Sequence, residues 1–163
     1  MATSELKIRA ARTPELERLS ALCLRSKAHW GYDAEFMARC RPALTLDAAY
    51  LERHPTRVAE GPGEQLLGVA SFSLHSQAAP AQAEIELLFV EPAHMGEGIG
   101  RALLQHLSAE LRALGCRKLW VLSDPGAESF YLSQGARRVE LRPSDCIPGR
   151  ELPWLCLDLG HGA

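Results

Sequence analysis

Phe89-Val90-Glu91-Pro92-Ala93-His94-Met95-Gly96-Glu97-Gly98-Ile99-Gly100-Arg101-Ala102-Leu103-Leu104 sets three glycines at alternate positions between an apolar strand and an amphipathic helix. Such a loop lets several backbone N–H groups converge beside the positive end of a helix, which suits a diphosphate. Two other glycine patterns fit badly. A dinucleotide fingerprint needs G-x-G-x-x-G, and the spacing here is G-x-G-x-G. A P-loop ends in Gly-Lys-Ser/Thr, and here Gly-Arg-Ala follows.

Downstream of the loop, residues 98–114 read as a helix with Ile99, Leu103, Leu107, Leu111 and Leu114 on one face and Gly115 at its end. Residues 118–122 are apolar and β-rich, 127–134 form a short helix stopped by Gly135, and 137–141 and 152–159 are closing strands. Upstream, residues 84–90 form the strand that feeds the loop, preceded by a small polar loop at 76–83. Residues 57–59 and 66–74 are strands joined by the turn 60–64, and 5–10 is a first strand. Thr13-Pro14-Glu15 supplies a cap, a proline and an acid for a helix with Leu16, Leu19, Leu22 and Cys23 inside, fading near Ser26. Asp33 caps a second helix that Pro42 closes, and Thr45 caps a third through Leu51.

A chain of 163 residues, 47% hydrophobic and 23% charged, is expected to form one globular domain, 1–163. The net charge of −2 lacks the basic stripe of a nucleic-acid-binding protein. Five widely spaced cysteines with no C-x-x-C pair argue against a zinc pattern and a disulfide framework, and read as small reduced core residues. Six histidines show no ligand spacing, so no metal is expected. No apolar run approaches the ~18 residues of a membrane span, and residues 1–8 hold no apolar signal region. The expected setting is cytoplasmic, with no membrane partner.

The loop resembles the acetyl-CoA-binding motif of the GCN5-related N-acetyltransferases (the GNAT family), written [Q/R]-x-x-G-x-[G/A] after a strand ending Val-x-Pro. Asp124 and the run Ala127-Glu128-Ser129-Phe130-Tyr131-Leu132-Ser133-Gln134-Gly135-Ala136 resemble the family's N-x-x-A-x-x-F-Y-x-x-x-G-F segment. The element order β-α-α-(α)-β-β-β-α-β-α-β-β matches nearly end to end. The resemblance implies an α/β fold: a mixed central sheet of about seven strands, splayed between the fourth and fifth, with about four flanking helices.

It also implies acetyl-CoA as cofactor, released as CoA. It carries cofactor binding onto Leu88, Phe89, Val90, Met95, Gly96, Glu97, Gly98, Ile99, Gly100, Arg101, Asp124, Ala127 and Phe130. The backbone N–H of Leu88 or a close neighbour would polarise the thioester carbonyl. Tyr131 would be the acid that protonates the departing thiolate, a fitting task for a phenol near pKa ~10. Strand alternation puts Glu84, Glu86 and Leu88 on one face, where either carboxylate can take the amine proton directly or through water.

Three positions depart from the pattern. Met95 stands where Gln or Arg is usual, Glu97 where Lys or Arg is common, and Asp124 where Asn is usual. Weaker cofactor binding than in a consensus member is expected. Lys27, His29, Trp30 and Tyr32 cluster after the first helix, where the family builds its acceptor pocket, and Arg150 sits in a late loop that often covers it. Aromatic walls with cations suit an acceptor bearing an anionic group. The expected activity is direct acetyl transfer to a primary amine of a small molecule or peptide. A longer acyl donor, a homodimer and a non-catalytic acyl-CoA-binding module of the same fold stay open.

Overall fold

The computed structural model describes residues 5–75 and 81–160. Among them the apolar alternations become seven strands: β1 Lys7–Ala10, β2 Thr56–Glu60, β3 Leu66–His75, β4 Gln82–Val90, β5 Lys118–Leu122, β6 Arg137–Pro143 and β7 Glu151–Asp158. They are hydrogen-bonded in the order β1-β2-β3-β4-β5-β7-β6. The pairs β1–β2, β2–β3, β5–β7 and β6–β7 are antiparallel, while β4 and β5 run parallel. The parallel ladder joins Gln82–Ile85 to Lys118–Val121, and β4 then continues to Val90. This is the mixed seven-stranded sheet, with its break in pairing between the fourth and fifth strands, that the sequence leads one to expect.

Five α-helices accompany it: α1 Leu16–Ala28, α2 Ala34–Cys40, α3 Ala48–Arg53, α4 Ile99–Ala113 and α5 Glu128–Ser133. Asp33 caps α2 as expected, accepting a hydrogen bond from the Phe36 N–H at 2.8 Å. The cap of α3 is Asp47, which accepts from the Tyr50 N–H at 2.7 Å, and not Thr45, whose hydroxyl donates to the Arg41 carbonyl. Before α1, Thr13–Glu15 form a 3-10 turn in which the Glu15 carboxylate, not Thr13, accepts from the Arg12 N–H.

Strand β4 begins at Gln82, inside the expected loop, whose residues 76–80 lie outside the described residues. Helix α4 ends at Ala113, so Leu114 falls past its buried face and is exposed, while Leu104 joins that face instead. Four of the five cysteines are buried, and Cys146 is half-buried in the loop before β7.

The chain groups into two units. Residues up to 72 and 86–106 form the first, with Leu19, Leu22, Val58, Leu67, Val69, Phe72 and Leu103 at its centre. Residues 73–85 and those from 107 onward form the second, centred on Leu107, Leu111, Leu119 and Leu155.

Candidate active site

In the first unit, β4 leads through the turn Pro92–His94 into the glycine loop. Gly96 and Gly98 adopt φ of 84° and 85°, a left-handed backbone that disfavours any side chain. A Cβ built on either would meet nothing within 4 Å, so the space beside both glycines is open. Gly100 is not part of the loop; it already lies in the first turn of α4. The Ala102 N–H donates to the Gly98 carbonyl, so the N–H groups of Ile99, Gly100 and Arg101 have no acceptor within the helix. Ile99 is buried and offers only its backbone; the Arg101 side chain is exposed.

Several contacts hold the loop. The Glu91 N–H donates to the Leu67 carbonyl at 2.8 Å, and Arg25 on α1 donates two hydrogen bonds to the Glu91 carboxylate. His94 Nδ1 lies 3.0 Å from Glu97 Oε2, with Gln65 Nε2 3.3 Å from the other ring nitrogen. The charge of Glu97 therefore sits against an imidazole. Beneath, Gly68 of β3 admits the start of α4. A Cβ there would lie 2.9 Å from Leu103 Cδ1 and 3.1 Å from the Phe89 carbonyl oxygen.

Along β4, Ala83, Ile85 and Leu87 are buried, while Glu84, Glu86 and Leu88 alternate with them on the opposite face, as the period requires. Leu88, Phe89 and Val90 are half-buried, as is Met95. In the first unit Glu86 raises the pKa of Tyr50, after the larger effect of burial and against the hydrogen bond to Ser71, whose Oγ is 2.5 Å from the Tyr50 hydroxyl.

Of the residues expected in the acceptor pocket near the end of α1, Lys27 lies in the last turn of that helix, and the side chains form two separate contacts. Tyr32 stacks on Phe36 at 3.9 Å and 13°, with Lys27 Nζ 5.2 Å from the Tyr32 ring centre and 5.8 Å from that of Phe36. Trp30 is 44% exposed and meets His29 edge-on. Phe36 is an addition to the set; its four-residue spacing from Tyr32 across the start of α2 was the available signal.

In the second unit, Glu84 Oε1 lies 3.6 Å from Nε2 of His75, the last residue of β3. Glu84 is the register partner of Trp120 on β5, whose indole N–H donates to Gln82 Oε1 at 2.8 Å. Trp120 stacks on Trp154 at 5.2 Å and 11°, and the Arg142 guanidinium covers Trp154 at 4.2 Å.

Asp124 caps the turn Pro125–Ala127 by accepting from the Gly126 N–H, and its other oxygen lies 3.8 Å from Arg150 Nη2. Arg150, expected with the acceptor residues, is thus placed beside a residue expected to touch the cofactor. Ala127 is the half-buried residue just before α5, and Phe130 meets Tyr131 edge-on at 5.1 Å. Tyr131 is buried, and burial drives its pKa well above the ordinary phenol value, so the hydroxyl stays protonated through neutral pH. Two hydrogen bonds from Arg138 to Glu128 tie α5 to β6.

The sequence profile of the Acetyltransferase (GNAT) family matches residues 18–136, which span both units. The chain belongs to the GNAT acetyltransferase family. N-alpha-acetyltransferase RimI of Mycobacterium tuberculosis is 37% identical over 102 residues, 62% of this chain and 64% of its own. The chain spans less than two thirds of the length of the curated relatives it matches, 28% for an uncharacterised Mycobacterium leprae protein.

Solved GNAT folds agree. A GCN5-related N-acetyltransferase from Rhodopseudomonas palustris superposes with a TM-score of 0.76 at 20% identity, over 97% of this chain and 98% of that one. PaiA N-acetyltransferase from Thermoplasma acidophilum, in complex with coenzyme A, gives 0.75 at 17% identity over 94% and 98%. Among the described residues of this GNAT chain no group of side chains suits a metal ion, and no helix is long and apolar enough to cross a membrane.

Proposed function

We propose that this GNAT protein is an acetyl-CoA-dependent N-acetyltransferase that moves an acetyl group directly to a primary amine of a small molecule or peptide. The observation that carries the reading is the loop at Gly96 and Gly98. Both glycines hold left-handed backbone over open space, directly before three helix N–H groups with no intrahelical acceptor. A diphosphate satisfies those donors and the positive end of α4 together. The named relatives include an N-alpha-acetyltransferase and a fold neighbour holding coenzyme A, which supports the same ligand and an amine acceptor.

In this reading Met95, Gly96, Glu97, Gly98, Ile99, Gly100 and Arg101 receive the diphosphate, mainly through backbone. Leu88, Phe89 and Val90 meet the pantetheine arm, joined by Asp124, Ala127 and Phe130. Acetyl-CoA supplies the activated thioester. The nitrogen attacks the acetyl carbon, the C–S bond breaks, and the Tyr131 phenol gives its proton to the departing sulfur. Burial keeps the phenol protonated before the reaction and makes it a weaker acid, so the transfer relies on the charge developing on the departing sulfur. A carboxylate of β4, Glu84 or Glu86, serves removal of the amine proton.

Lys27, His29, Trp30, Tyr32 and Arg150 are assigned to the acceptor. The whole chain is read as one acetyltransferase domain, a reading supported by a family match that includes residues of each unit.

Two measurements test the proposal. CoA at millimolar concentration raises the melting temperature, because a ligand that binds only the native state stabilises it by mass action. Acetyl-CoA with a panel of amino acids, polyamines and short peptides then releases free thiol with at least one acceptor. An unchanged melting curve removes the cofactor assignment. Tight CoA binding without turnover of any amine favours a non-catalytic acyl-CoA-binding module, the reading to which Met95, Glu97 and Asp124 lean.

A further inference from the structure

Glu84 does not stand alone on its face of β4. His75, at the end of β3, brings Nε2 to 3.6 Å from Glu84 Oε1. The imidazole side chain is 48% exposed and the carboxylate 27%, so the histidine is the outer member of the pair and the glutamate the inner one. On its other side Glu84 has Trp120 as register partner, and that indole has already given its N–H to Gln82.

This ordering decides which group meets an incoming amine. A carboxylate beside Nε2 favours the tautomer with hydrogen on Nε2, which leaves the basic lone pair on Nδ1 of a half-exposed ring. A separation of 3.6 Å exceeds a hydrogen bond, and such catalytic pairs are often long before substrate binds. The same logic orients the histidine of a serine-protease triad: the acid fixes the tautomer and supports the imidazolium.

We propose that His75 is the base of the transfer reaction and Glu84 the residue that positions it. The inference rests on the acetyl-transfer reading above and assigns the proton step within it. As the amine nitrogen bonds to the acetyl carbon and the C–S bond breaks, the nitrogen's surplus proton passes to His75 Nδ1 and then to water. The thiolate takes the Tyr131 proton, and the phenolate recovers one from solvent. Atoms and charge balance: amine and acetyl-CoA become amide and CoA.

The test uses the full chain with acetyl-CoA, the best acceptor of the amine panel, and water as the acceptor of last resort, thiol release being followed in each case. His75→Ala lowers kcat by ~10²-fold or more, the usual worth of a positioned base, while the acetyl-CoA KM stays within about twofold. Added imidazole restores part of the lost rate in His75→Ala and none in Tyr131→Phe. Glu84→Gln, whose amide N–H favours the wrong tautomer, falls at least as far as Glu84→Ala. Melting curves of the variants exclude unfolding, and His75→Gln repeats the loss if the alanine variant is unstable.

Full activity in His75→Ala overturns the proposal and returns the base role to a carboxylate. Loss without imidazole rescue overturns it as well, since a merely structural role produces that result. A wild-type protein that binds CoA yet releases no thiol defeats the acetyl-transfer reading instead, a result visible before any variant is made.

Discussion

Arg25 grips Glu91 with two hydrogen bonds of 3.0 and 2.6 Å, across 66 residues of sequence. Glu91 is the residue at which β4 turns into the glycine loop, and its N–H is held by Leu67 as well. The entry to the loop is thus fixed from two directions. Arg25 is largely exposed, and exposed pairs contribute about 0–1 kcal/mol. Arg25→Ala therefore weakens CoA binding by up to roughly fivefold, with little change in melting temperature. Calorimetric titration reads the affinity, and an unaltered Kd removes Arg25 from loop positioning.

Tyr131 separates chemistry from packing. Tyr131→Phe deletes one hydroxyl and keeps the edge-on contact with Phe130. CoA affinity barely moves, while kcat falls ~10²–10⁴-fold, the range for one positioned acid. Steady-state kinetics with any accepted amine decide it; an intact rate ends the general-acid role.

Gly68 tests how closely α4 must approach the sheet. Gly68→Ala places a methyl carbon 2.9 Å from a Leu103 methyl, which can shift, and 3.1 Å from the Phe89 carbonyl, which cannot easily do so. Overpacking of this kind costs about 1–3 kcal/mol. Phe89 and the start of α4 flank the glycine loop, so CoA affinity drops along with stability. Denaturant melts and calorimetry check both, and a variant as stable as wild type shows that the approach is looser than the distances imply.

Acid should loosen the first unit through Glu15. Burial alone would raise the pKa of this carboxylate, but hydrogen bonds from the Arg9 guanidinium and the Arg12 N–H outweigh it, and the net shift is downward. A depressed carboxylate pKa adds stability that is present above the ordinary value of 4.5 and disappears as pH falls through the lower folded value. Wild-type stability accordingly declines below about pH 4.5, and Glu15→Gln, already lacking this contribution, declines less steeply. Melts between roughly pH 3 and 7 compare the slopes; parallel curves exclude Glu15 as a source.

Backbone requirements and periodic faces were legible in the sequence; pairings between distant side chains were not. Gly96 and Gly98 announce themselves because left-handed backbone disfavours other residues, and the four-residue rhythm from Ile99 to Leu111 fixes α4. Caps were legible only when unrivalled. Asp33 had no competitor, whereas Thr45 and Asp47 are two good capping residues two positions apart, and the choice fell to the one whose carboxylate meets the Tyr50 N–H. Leu114 kept the rhythm of α4 past the point where the helix stops, so its burial was over-read. His75 beside Glu84, Arg150 beside Asp124 and Arg25 on Glu91 all join separate elements, and nothing local in either partner signals the other.

The tryptophans give the two units distinguishable optical signatures. Trp120 and Trp154 lie face to face in the second unit, nearly parallel, so their transitions couple and should produce a paired band in far-ultraviolet circular dichroism. Trp30 belongs to the first unit, is open to solvent, and stands among the residues assigned to the acceptor. Its emission can report acceptor binding while the coupled band reports whether the stacked pair stays intact. Substrate discovery can therefore proceed by fluorescence titration of the unlabelled protein, with no need for turnover.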